Sequence, residues 1–435
     1  MSGKVIVSQL GARMHYAVPA IFASRDRLAH FYTDICATKS WSRLATALPT
    51  TLTPAALRRF AGRQPKNVPS NLITIFPVFG IRSALRRMRG KDVVDDTSHA
   101  LWAGAHFSRL VARNGFHGAE GIYAFSGDAL EQIKAAKQRG LWAAVEQMIA
   151  PRDLVEQLVK EEAESFPDWA GPLPVNSFAR IFADREKAEW DVADLIICPS
   201  EFVRKHVVAA GGDESRCIVV PYGVNARSPA SRPPRSPGPL RVLTAGQIGL
   251  RKGSPYVVEA ARLLGGAARF RMVGPCNLPE AIKKKLALSV DPAGIIPRAA
   301  MAEEYRWADV FLLPSICEGS ATVVYEALAA GLPVVTTENT GSVVRDGVEG
   351  FVVPLRDSQA IAEAIERLAV DDQLRAEMSV NALRRAAEFT VEKYGERLLA
   401  AIDTLPRVIV GSVRQGNADH AQYQIATWSG AHSAS

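Results

Sequence analysis

Short apolar runs alternate with helical stretches along most of this chain, and no other feature narrows its fold so far. The runs KVIVSQL (4–10), GIYAF (121–125), LWAAVEQ (141–147), LIICPS (195–200), CIVVPYG (217–223), RVLTAG (241–246), FRMVG (270–274), VFLLPS (310–315) and PVVTT (333–337) read as strands. Residues 127–138, 201–210, 254–264, 321–330 and 358–368 read as helices. Strands alternating with helices predict parallel sheets in an α/β protein. The 435 residues suffice for two or three domains, and 48% hydrophobic residues suffice for real cores.

A break falls at residues 226–239, ARSPASRPPRSPGP. Proline at that density excludes a helix interior and a central strand, because it removes backbone donors. The stretch reads as a linker between domains at 1–225 and 240–390. ADLIICPSE from Ala193 and ADVFLLPSICE from Ala308 echo each other, which suggests that the second half repeats the architecture of the first. VEKYGERLLAAIDTL reads as a last amphipathic helix, assigned to 391–408, and the polar residues 409–435 as a mobile tail.

No apolar run approaches the roughly 18 residues of a transmembrane helix. The opening MSGKVIVSQLG reads as a first strand rather than a signal peptide, so a cytoplasmic location is expected. Cys36, Cys198, Cys217, Cys276 and Cys317 are scattered, form no C-x-x-C pair, and are expected to be reduced thiols without a metal. The net charge of +7 is unevenly placed. Between Ile35 and Lys91 stand eleven Lys or Arg residues and no Asp or Glu, so the remainder is net acidic. Such a patch attracts anions, whether nucleic acid, anionic lipid or phosphorylated substrate. Nucleic acid is set aside because the chain lacks a recognised motif and interleaved stacking aromatics. IRSALRRMRGK, with apolar residues among its arginines, suits a membrane surface.

The stretch CEGSATVVYEALAAGLPVV (317–335) carries Glu318 and Glu326 in otherwise apolar surroundings. Glu318 falls in the loop after a buried strand, and Glu326 roughly two turns inside the following helix. Gly331 and Pro333 end that helix. Ligands bind at the carboxyl ends of parallel strands. A helix start offers free amides to phosphate, and Gly319, Ser320 and Ala321 are small enough for close approach. Carboxylates would repel phosphate but accept hydrogen bonds from sugar hydroxyls. A nucleotide-sugar, hydroxylated at both ends with phosphate between, satisfies both. Its charge needs cations, and AGQIGLRKGSPYV offers Arg251 and Lys252.

With these motifs the sequence resembles retaining glycosyltransferases of the GT-B fold, glycosyltransferase family 4. EGSATVVYE is similar to that family's E-x7-E signature, and the chain follows the family pattern onward through EALAAGLPVVTTENTGSVVRDGVEGFVVPLRD. TAGQIGLRKG resembles its phosphate loop, and CIVVPYGVN its last strand before the linker. The resemblance is strongest over residues 190–405. It implies two Rossmann-like domains with parallel sheets facing a central cleft, and a final helix crossing back to the first. It implies that Glu318 contacts the transferred sugar and that Glu326 holds the ribose. Arg251 and Lys252 would neutralise the diphosphate beside Gly246, Gln247, Ser320 and the amides of Ala321 and Thr322. Residues 294–298, including Ile296 and Arg298, would hold the base through backbone atoms, and Gly11 would approach the phosphate from the other domain.

The implied reaction moves a sugar from a UDP- or GDP-linked donor to a hydroxyl acceptor, glycan or lipid-linked, with configuration retained. No D-x-D motif is present, so neither metal nor cofactor is expected. The sequence departs from the family in three places. Gln247 stands where an Arg is usual, LGARMHY has one glycine where two are common, and LWAAVEQMIAP offers Glu146 and Gln147 but no His. His15 and His106 are possible substitutes for that His, though packing explains each more simply. Arg185 and Glu189 read as a surface i, i+4 pair. Two other readings stand beside transfer: an inactive GT-B scaffold with a basic membrane- or partner-binding face, and a nucleotide-sugar epimerase.

Overall fold

The computed structural model describes residues 3–37, 63–90, 92–170, 175–225 and 238–405. Most of the linker, the basic residues 38–62 and 91, and the tail beyond 405 lie outside the described residues.

The first sheet contains β1 (Val5–Gln9), β2 (Leu28–Thr33), β3 (Ile73–Ile75), β4 (Gly121–Phe125), β5 (Trp142–Glu146), β6 (Leu195–Cys198) and β7 (Cys217–Val219), in the order β3-β2-β1-β4-β5-β6-β7. The second contains β8 (Leu240–Ala245), β9 (Ala268–Val273), β10 (Val290–Gly294), β11 (Val310–Leu313), β12 (Val334–Thr336) and β13 (Gly350–Val352), in the order β10-β9-β8-β11-β12-β13. Every pairing within the two sheets is parallel. Strands β1, β4, β5, β6 and β11 are buried along their whole length, as expected where helices cover both faces.

The two sheets share one winding order, so the second half does repeat the first. The echo that suggested it has a different cause. ADLIICPSE opens β6, the sixth strand of its sheet, whereas ADVFLLPSICE opens β11, the fourth of its own. Each aspartate accepts a backbone amide from a neighbouring strand. Asp194 takes that of Ala143 at 2.8 Å, and Asp309 that of Arg241 at 3.0 Å. The echo is strand-entry chemistry.

After the second sheet the chain returns to the first. Val224 pairs with Thr390. The helix Val391–Ile402 then packs Tyr394, Leu398 and Ile402 among Val5, Phe22 and Tyr123. Each sheet reverses its winding once, between β1 and β4 and between β8 and β11. The loops beyond the carboxyl ends of those strands are where an open α/β sheet binds ligands.

Candidate active site

The second switch point is built by close backbone contacts. Gly253 has φ +67°, and a Cβ there would stand 2.1 Å from the Pro314 carbonyl oxygen, so no larger residue fits. The loop after β8 is thereby pressed against the end of β11, and Ile316 donates its amide to the Arg251 carbonyl at 2.9 Å. Arg251 and Lys252 then meet Glu318. Arg251 Nη1 lies 2.8 Å and Lys252 Nζ 2.7 Å from the same carboxylate oxygen. The Glu318 and Lys252 side chains are each only 12% exposed. One carboxylate shared by two cations leaves a net positive site.

Glu326 lies one turn, not two, inside the helix Thr322–Ala329, because that helix starts only at Thr322. Its carboxylate accepts from Tyr305 Oη at 2.8 Å and from Arg298 Nη2 at 3.1 Å. Sequence reasoning gave Arg298 a backbone role, but its side chain reaches Glu326 and also His15 Nε2, from the opposite half. Tyr305 was missed. It sits in the helix Met301–Trp307 before β11, with no local signal linking it to a carboxylate 21 residues on.

The small residues of this loop serve other contacts than those expected. A Cβ on Gly319 would stand 1.7 Å from the Met148 carbonyl oxygen, so this glycine admits the loop after β5 rather than a ligand. Its own carbonyl accepts from Ser200 Oγ at 2.6 Å. The Ser320 hydroxyl is buried against Tyr325 Oη at 2.6 Å. The Ala321 amide points to the Thr340 carbonyl at 3.4 Å, leaving Thr322 to lead the helix start. Gly246, at φ +135°, passes close to Gly274, and Gln247 is exposed beside it. Ile296 is half-buried.

The first switch point is strained. After Gly11 (φ +79°), whose amide donates to Asp34 Oδ1 at 3.1 Å, the loop runs through Met14, His15 and Tyr16 at φ +43°, +52° and +65°. Three successive non-glycine residues in the left-handed region are uncommon and cost energy that surrounding contacts must offset. Gln9 Nε2 donates to the carbonyls of Gly11 and Arg13, and the Tyr16 ring packs edge-on to Phe31. Arg13, which sequence reasoning passed over, lies over the Phe125 ring, meets Met148 Sδ, and stands 3.5 Å from Asp128.

Behind this loop, carboxylates are sealed in. Glu146 is buried and accepts from Tyr123 Oη and from Tyr222 Oη, the latter at 2.7 Å, and burial pushes its pKa up. Gln147 is spent on the Ile149 carbonyl, Glu186 and Trp190 Nε1. Arg185 and Glu189 do pair, Nε to Oε1 at 3.5 Å, but in the interior rather than on the surface. Glu189 is fully buried and accepts the amides of Gly127, Ala129 and Leu130 at 2.7, 3.0 and 3.1 Å, so it holds the loop after β4 and the start of the helix Leu130–Lys137. Burial pushes Asp128 up to about 7, against the pull of Arg13 and Arg185. His106 stacks near Trp102, ring centroids 4.7 Å apart, and is packed.

Three comparisons bear on this geometry. Residues 239–371 match the family of glycosyl transferases group 1. The amylovoran biosynthesis glycosyltransferase AmsK of Erwinia amylovora is 32% identical over 147 residues, covering 30% of this chain and 36% of that protein. The D-inositol 3-phosphate glycosyltransferase of Xylanimonas cellulosilytica is 32% identical over 230 residues, covering 49% and 54%. The chain thus spans about a third to three fifths of the length of the curated relatives it matches. The crystal structure of Anabaena HepE in complex with UDP and glucose superposes with a TM-score of 0.59 at 17% identity, covering 93% of this chain and 100% of that one. The fold is therefore GT-B, and residues 239–371 carry the sequence pattern of the group 1 glycosyl transferases.

Proposed function

We propose that this chain is a retaining glycosyltransferase of family 4, moving a sugar from a UDP- or GDP-linked donor to a hydroxyl acceptor in polysaccharide or lipid-linked glycan synthesis. The observation that carries the reading is the Arg251–Glu318–Lys252 cluster at the switch point of the second sheet. The donor diphosphate takes the two cations, and Glu318 is released toward the hydroxyls of the sugar. Glu326 exchanges Arg298 for the ribose. Charge that grows on the departing diphosphate is met by Lys252, Arg251 and the helix start at Thr322, which is electrostatic catalysis without a metal or cofactor. Contact between the halves at Gly319 and Met148 helps exclude water from the bond being broken. The likeness to AmsK, an amylovoran biosynthesis glycosyltransferase, supports this reading, and HepE, which shares the fold and was solved with UDP and glucose, makes UDP the first nucleotide to try. Among the described residues no helix is long and apolar enough to cross a membrane.

The test is thermal stabilisation by UDP, GDP, ADP and TDP. At about 100 times its dissociation constant the right nucleotide adds roughly 2.7 kcal/mol. The shift is expected to fall in both Glu326→Ala and Lys252→Ala. If none of the four nucleotides stabilises the wild type, the reading is lost and the inactive scaffold replaces it.

A further inference from the structure

The helix Pro77–Arg89, which follows β3, has two faces of opposite character. Its inner face is fixed. Phe79 is buried against Trp102 and Phe107, and Gly80 lies where a Cβ would meet Ile35 at 3.1 Å. Its outer face carries Val78, Ile81, Leu85 and Met88, which are 82%, 55%, 53% and 82% exposed. Their spacing of three, four and three residues puts them in one stripe. Arg82, Arg86 and Arg89, spaced four and three apart, run along the border of that stripe. Arg82 and Arg86 stand over the Trp102 ring of the following helix at 5.5 and 5.1 Å, and both remain exposed, as does Arg89. Asp92, Asp95 and Asp96 come next, but at the start of the following helix, where Asp92 accepts the amides of Val94 and Asp95.

We infer that this helix is a docking face for an anionic lipid surface, lying parallel to it with the apolar stripe inserted among acyl chains and the arginines among headgroup phosphates. Two observations choose lipid over a protein partner. The four apolar side chains project outward from a convex helix, which suits a fluid layer that closes around them. The charges beside them are arginines on one border, matched to phosphate rather than to an alternating polar rim. This narrows the basic segment 35–91 to one face, and it does not depend on the glycosyltransferase reading, since docking needs no donor.

The experiment is flotation of the full chain with vesicles of phosphatidylcholine alone and of phosphatidylcholine mixed with phosphatidylglycerol, without nucleotide. Binding to the mixed vesicles is expected, weaker at high salt and weaker still on phosphatidylcholine. Leu85→Glu with Met88→Glu should lower it by roughly tenfold or more. Arg89→Gln should lower it by about fivefold. All three positions are exposed, so melting temperature should hold, and an unchanged melt confirms that the variants are folded. Equal binding to both vesicles, or undiminished binding by the Glu pair, overturns the inference. So does a wild-type dimer that the Glu pair converts to monomer, which would make the stripe an interface between two copies.

Discussion

Glu318 and Glu189 are the same residue type at the ends of two similar sheets, and they are put to opposite uses. Glu318 is held by two side-chain cations, Arg251 and Lys252, in a site that solvent still reaches. Glu189 also has a cation, Arg185 at 3.5 Å, but it is held in place by three backbone amides and has no exposure at all. A cation on a flexible side chain can leave when a ligand phosphate arrives. A backbone amide cannot leave without undoing the loop. Partner type, rather than the carboxylate itself, separates a binding site from a structural brace. Glu146 shares the burial of Glu189 but is held by two side-chain hydroxyls, those of Tyr123 and Tyr222.

The comparison breaks most sharply at Glu189. Glu189→Ala strands three amides in a dry interior and leaves Arg185 with Glu131 and the Gly127 carbonyl. It should cost about 3–5 kcal/mol, read as a lower urea midpoint. If Glu189→Ala melts like the wild type, the brace reading is wrong. Lys252→Ala should do the reverse. Its loss should lower kcat by about 10²–10³, or 2.7–4 kcal/mol of transition-state stabilisation, with the urea midpoint nearly unmoved. A variant that loses stability and activity together would place Lys252 with the braces.

The sheets were legible where strands are long apolar runs, and the lapses have physical causes. β10 contains Pro292, which the ladder tolerates only because β10 is an edge strand of its sheet. β3 spans three residues at the other sheet's edge, and β2 breaks its apolar run with His30. Edge position is a property of the assembled sheet and leaves no mark on the local pattern. The C-terminal site was readable because its parts are loops at strand ends with the right residue types, and strand ends can be found from apolar runs. Tyr305 and Arg13 were not, since each meets its carboxylate through tertiary packing. Glu189 misled for the same reason. A spacing of four from Arg185 is visible in sequence, but whether that helix face meets water or the loop at 127–130 is decided by contacts some 60 residues away.

The smallest expected effect tests the first half from within. Asp128 is buried beside Glu189, which burial pushes up to about 8 against the pull of Arg185 and the amides of Gly127 and Ala129. Asp128 Oδ1 has no hydrogen-bond partner among the described residues, and burial pushes Asp128 toward its neutral form against the pull of Arg13 and Arg185. Its folded pKa of about 7 lies above the roughly 3.9 of an unfolded Asp. Between those values the unfolded chain binds fewer protons than the folded one, so unfolding releases a proton. Stability from this group is fully present below the lower value and is lost as pH rises toward the upper one. The slope cannot exceed about 1.4 kcal/mol per pH unit, one proton's worth. Asp128→Asn keeps a neutral side chain of the same shape at every pH. Urea midpoints across this window should therefore decline with rising pH more steeply in the wild type than in Asp128→Asn. Identical slopes would mean that Asp128 is ionised when folded. Arg13, at 3.5 Å, would then be its tied counter-ion, and no longer a cation that a ligand at the first switch point could take.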